Sequence, residues 1–169
     1  MRREAEINVN SNLRYSLTRV WDEKKPSILF IMLNPSTADA LKDDPIIKKC
    51  ISYAKAWGYG GLYVCNLFAY RATDPNELKS LKKKEREGQF NYLHIENTII
   101  YHSIEKVVFA WGNNKIVSKL MDFSKLEEAL NKAGEIVDFK TYCLELSKSG
   151  TPKHPLYLRG DLKLKRFDL

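Results

Sequence analysis

No stretch of the 169-residue sequence approaches the roughly 18 consecutive apolar residues that a membrane-spanning helix requires. The opening MRREAEINVN is polar and has none of the apolar centre of a secretory signal, which predicts a cytoplasmic protein with no membrane partner. Cysteine is scarce: Cys50, Cys65 and Cys143 are an odd number, lie far apart and form no Cys-x-x-Cys pair. Such spacing argues against a disulfide framework, a structural zinc or an iron-sulfur cluster, and buried reduced thiols are expected instead. Histidine is as sparse, and the scattered His94, His102 and His154 predict no metal site. Also missing are Gly-x-x-x-x-Gly-Lys-Ser/Thr, Gly-x-Gly-x-x-Gly and Gly-x-Ser-x-Gly. Phosphate-loop, dinucleotide and serine-hydrolase chemistries therefore lack their backbone devices, and no cofactor is expected.

What remains is an ordinary globular composition, 44% hydrophobic, 11% aromatic and 29% charged. A chain of this length fits one domain, residues 1–169, able to bury roughly two thirds of its unfolded surface. Lys plus Arg number 28 against 21 Asp plus Glu, a net charge of +7. That excess can attract phosphate backbones, but on charge alone a solvated face is the favoured reading of LKKKER (81–86) and of the basic residues of LRGDLKLKRFDL.

Along the chain, LRYSLTRVW (13–21) alternates like an edge strand, and SILFIML (27–33) is an apolar run suited to a central strand buried on both faces. Asp44 and Pro45 open a helix as N-cap and first residue, Ile47, Ile51, Ala54 and Trp57 recur at helical spacing, and Gly58 closes it. GLYVCNLF (61–68) and KVVFAWG (106–112) are further core strands. Between them a helical stretch from about Asn76 to Tyr101 breaks near Gly88. Helices follow over 113–121 and 124–133, the second capped by Ser124, and a last strand lies near 136–143. Strands alternating with helices predict an α/β fold, a three-layer α/β/α sandwich with a mainly parallel central sheet.

In open parallel sheets ligands bind beyond the carboxyl ends of the strands. Three polar segments fall there: Asn34-Pro35-Ser36, Asn66 to Arg71 with Tyr70 between, and Gly112-Asn113-Asn114. The His154 loop joins them if it folds back. Taken singly, Asn34 and Pro35 read first as a turn. Asn66 is as easily an amide tying two loops as one offering donor and acceptor to a planar base. His154 precedes Pro155, which favours an extended backbone that presents its ring from a loop. Asp39, Asp43 and Asp44 form an acidic loop of the donor type for Mg²⁺, but capping explains Asp44 more simply.

The order of IMLNPS, LYVCNLFAYRATDP, VVFAWGNN and HPLYL resembles the uracil-DNA glycosylase superfamily, and nearly the whole chain resembles the domain-of-unknown-function family 1643. The first resemblance implies a parallel four-stranded sheet between helices and a DNA or nucleotide partner whose flipped base is held at the strand ends. It implies that Asn34 positions the attacking water, that Asn66 reads the base edge, and that His154 stabilises the departing base. Pro35, Ser36, Tyr70, Arg71 and Asn113 fall in the matching substrate-binding segments, and Leu156, Tyr157 and Leu158 in the place of an intercalating wedge. The sequence departs from that pattern where Met32-Leu33 replaces the usual Gly before the polar residue and where Leu156 replaces Ser. Recognition of nucleic acid or nucleotide without turnover, and an enzyme on a small phosphorylated metabolite using Arg71 and Asp44, are the alternatives.

Overall fold

A computed structural model describes residues 1–169. Strand β3 (Ser27–Met32) explains the arrangement, because Ile28 to Ile31 are wholly removed from water. A strand buried on both faces must lie inside a sheet, and its neighbours β4 (Gly61–Asn66) and β5 (Lys106–Phe109) both run parallel to it. Strand β6 (Lys140–Cys143) pairs parallel with β5. On the other flank β2 (Arg14–Val20) runs antiparallel to β4, and β1 (Arg2–Ile7) antiparallel to β2. A two-residue strand, β7 (Lys165–Arg166), adds antiparallel to β6, giving the order β1-β2-β4-β3-β5-β6-β7.

The fold is α/β as expected, but the sheet is mixed rather than mainly parallel, since three of its six ladders are antiparallel. The difference comes from strands at the margins. RREAEI has two apolar residues in six and leaves most of its surface in water, so hydrophobic periodicity gives it almost no signal. Once β1 covers it, β2 is an inner strand and not an edge.

Alternation distributes the core between the two faces. Ile28, Phe30, Leu62 and Val64 pack with Ile47, Cys50, Tyr53 and Ala54 of helix α1 (Pro45–Ala56). Leu29, Ile31, Tyr63 and Val107 pack with Ile95 and Ile99 of α3 (Asn91–Tyr101) and Leu126 and Leu130 of α5 (Ser124–Gly134). Each of the Val, Leu, Ile and Phe side chains among them contributes about 1.5–3 kcal/mol when fully buried. Asp44 caps α1 as predicted, its Oδ1 accepting from the Ile47 amide at 2.9 Å. The long helical stretch divides into a 3-10 turn over Pro75–Ser80, a short α2 (Lys83–Glu87) and α3, with Gly88 at φ +81° between the last two. The cap of α5 is not Ser124 itself; Asp122 accepts from the Ser124 amide at 3.1 Å. Between these, α4 (Lys115–Leu120) is capped by Asn114. No helix is long and apolar enough to cross a membrane. The three cysteines are free and buried, and burial pushes the Cys65 thiol up to about 12.

The acidic loop before α1 serves a buried cation. Arg19 is fully enclosed; its Nε donates to Asp43 at 2.7 Å and its other nitrogens to the carbonyls of Thr18 and Asp39. Asp43 also meets Arg3 at 2.9 Å. Removing one partner of a buried pair leaves a charge without compensation, at a cost of about 3–5 kcal/mol. Asp43→Ala is therefore expected to lower stability by roughly 3 kcal/mol, read as a fall in the urea unfolding midpoint. An unchanged midpoint would show that the backbone carbonyls alone satisfy Arg19.

Candidate functional site

Asn34 lies two residues beyond the end of β3, and its amide has a defined orientation. Its Nδ2 donates to the carbonyl of Ala72 at 2.8 Å and to that of Pro35 at 3.1 Å. The Ala72 amide returns a bond to the buried Pro35 carbonyl at 2.9 Å, so the turns after β3 and β4 are stitched together. Arg14, itself buried with its pKa lowered to about 10 by desolvation, donates to the Ala38 carbonyl at 2.8 Å and holds the far end of the same segment. With both amide hydrogens spent, Asn34 Oδ1 is an acceptor that takes no hydrogen bond from the protein. The same side chain thus holds the turn and leaves an acceptor over.

His154 reaches the same edge through the loop after β6. That loop closes on itself by an isolated bridge between Leu146 and Pro152 and by the Lys153 amide on the Glu145 carbonyl at 2.8 Å. It docks on the turn after β5, where the Gly112 amide donates to the Pro152 carbonyl at 2.9 Å. Gly112 has φ +81°, and a Cβ there would lie 3.2 Å from the His154 Cβ, so both backbone conformation and proximity favour glycine. Beyond the histidine, Trp57 donates to the Leu162 carbonyl at 2.9 Å and the Tyr53 hydroxyl to that of Arg159, fastening the segment to α1. The imidazole Nδ1 accepts from the Leu156 amide at 3.3 Å, which leaves the proton of a neutral ring on Nε2. Burial lowers the His154 pKa from its ordinary 6.5, against an opposing pull from Asp44, and keeps the ring in this donor form.

These groups converge on one cleft of about 640 Å³, the size of a small-ligand site. Asn34, Ser36, Asn113 and His154 line it, with Trp111 and Leu156 among its apolar walls and Tyr157, 90% exposed, at its rim. No residue of the lining carries a formal charge apart from what His154 could acquire. Ile46 and Thr73 also line the cleft, and nothing in the sequence distinguishes them from their neighbours.

Four of the sequence candidates lie elsewhere, the first being Pro35, which is buried and does not line the cleft. Asn66 is only 1% exposed and does not line the cleft; both of its amide atoms are buried without a partner. It sits beside Met32 in the parallel ladder, and its carbonyl accepts from Asn91 Nδ2 at 2.8 Å. Tyr70 packs partly buried on the α3–α5 face. Arg71 lines a separate shallow depression that shares Ser36, Ala72 and Thr73 with the cleft, and donates to the Ser11 carbonyl at 3.3 Å.

Compared with known proteins, residues 14–156 match the model of a family described as "Protein of unknown function (DUF1643)". No curated protein and no solved structure matches the chain.

Because burial depresses the His154 pKa, the unfolded chain takes up this proton at a higher pH than the fold does. Stability from neutral His154 is complete above its ordinary value of 6.5 and is lost as the pH falls from there toward the lower native value. The urea midpoint of the wild type is expected to fall more between about pH 7 and about pH 5 than that of His154→Gln. Equal falls in the two proteins would contradict this.

Proposed function

The chain belongs to the DUF1643 family, and from that premise we propose that it binds DNA or a nucleotide through a base pocket at the strand ends, and that the pocket holds the groups for hydrolysing an N-glycosidic bond. The observation that carries the reading is the convergence of Asn34 and His154 in one uncharged cleft, with an acceptor left over on the first and a donor on the second. Further support comes from the core of the sheet, where β4-β3-β5-β6 run parallel and are flanked by helices on both faces. On this reading the fold is a three-layer sandwich of the uracil-DNA glycosylase type.

The chemistry divides between these groups. Asn34 Oδ1 accepts a hydrogen bond from a water and turns its lone pair toward the anomeric carbon. As the bond from that carbon to the base nitrogen breaks, the electron pair leaves with the base and the sugar becomes an oxocarbenium. His154 Nε2–H donates to the negative charge growing on the departing base, where a neutral donor aimed at developing charge acts best. Water then forms the new C–O bond and its proton passes to the base or to solvent. Asn66 holds an unmet donor and acceptor, each costing about 1–3 kcal/mol while buried and unpaired; it does not line the cleft, so the edge of an inserted base meets them only if the side chain turns toward it. Tyr157 projects from a 3-10 turn at the rim, where a wedge for a duplex would stand, whereas Leu158 packs partly buried against the core.

A second reading, recognition without turnover, is favoured by one observation: no carboxylate lines the cleft, so the water has only an amide to orient it. Neither Arg71 nor Asp44, on which an enzyme for phosphorylated metabolites would depend, lines the cleft.

Base release from a panel of DNAs carrying modified bases separates these readings. If the cleft hydrolyses, Asn34→Ala and His154→Ala each reduce release by about 10²-fold or more while the fold is retained. A protein that binds DNA in a salt-dependent way but releases no base is a recognition module. Failure to bind any nucleic acid or nucleotide, or binding unaffected by either substitution, would overturn the base-pocket reading.

A further inference from the structure

Beside the cleft lies a second cavity of about 480 Å³. Trp111, Asn113 and Asn114 line both, so the turn after β5 is the wall between them. Their characters differ. The cleft presents three amides and an imidazole, whereas the second cavity is walled by the half-buried rings of Phe123 and Phe167 around Trp111. Trp111 and Phe123 meet at 46° with centroids 5.4 Å apart, a tilted pair in which neither ring covers the other's face. Lys115, exposed in the first turn of α4, brings a positive charge to the lining.

We propose that this second cavity takes the base of the nucleotide next to the one in the cleft, so that the ligand is a single-stranded or locally unpaired nucleic acid engaged two bases at a time. The inference rests on the base-pocket reading of the cleft and deepens it. An aromatic pocket suits a base of any identity, because every base has a face that can stack. A cation beside it suits the phosphate between the two nucleotides, and the net charge of +7 suits a polyanion as a whole. Duplex pairing is disfavoured by the wall itself: paired DNA keeps neighbouring bases stacked on one another, and here protein backbone stands between the two sites. A free mononucleotide would fill one cavity and leave the other empty.

The test titrates wild-type protein calorimetrically with the complete set of deoxydinucleotides, with counterparts in which one or the other base is replaced by hydrogen, and with the deoxynucleoside monophosphates. Removing the base held in the cleft should abolish binding, and removing its neighbour should weaken binding by about fivefold or more, the low end of a stacking contribution. Ser118→Phe fills the second cavity from an exposed helical position, and Phe123→Ala removes one wall. In both variants the dinucleotide and the counterpart lacking the second base should bind alike. Dinucleotides that bind no tighter than monophosphates would overturn the inference and leave the cleft reading standing; absence of binding by any of these ligands would overturn both.

Discussion

Ile28, Leu29, Phe30 and Ile31 alternate between two faces and all four are out of water, so β3 needs cover on both sides and a strand on each flank. The flanking strands β4 and β5 are parallel to it, and parallel pairing sends all three carboxyl ends to one edge. Asn34, Asn66 and Asn113, at or just beyond the ends of these strands, are neighbours for that reason and not through any affinity of their own. Helix α1, capped by Asp44, and helices α3 and α5 are the cover that the two faces require.

An edge assembled this way consists of turns, and turns are held by polar contacts. Asn34 ties two of them together, Arg14 anchors the segment that follows, and Arg19 with Asp43 fixes the loop before α1. Gly112 lets the His154 loop come within van der Waals reach. Several polar groups at this edge are therefore committed to structure. Among the groups left over, Asn34 Oδ1 and the Nε2 side of His154 belong to residues that line the cleft, whereas the amide of Asn66 is buried without a partner outside its lining.

Much of this is legible in the sequence where burial is strong. SILFIML and GLYVCNLF have no polar alternation and can only be inner strands, the Asp44-Pro45 start of α1 is local chemistry, and Gly88 marks a real break. Legibility fails at the margins. Strand β1 is recognised by its partner and hardly at all by its own residues, and β7 has only two residues, so the mixed character of the sheet is hidden. Of the residues that the strand-end rule singles out, Asn34, Ser36, Asn113 and His154 line one cleft. The rule does not reveal which side of a turn each residue faces: Arg71 falls in a neighbouring depression, Tyr70 packs partly buried against the core, and Asn66 is enclosed outside the cleft lining.

The central claim, that these leftover groups bind a base, is tested most directly by NMR of the side-chain amide protons of Asn34 and Asn66 and the imidazole nitrogens of His154 during titration with a single-stranded oligonucleotide. The account predicts large, saturable shifts of the Asn66 amide protons as an unpaired buried donor gains an acceptor, together with a shift at His154 Nε2 and little at Nδ1. Shifts confined to exposed lysines and arginines, with Asn66 and His154 unmoved, would mean that nucleic acid meets only the basic surface and that the cleft serves another ligand.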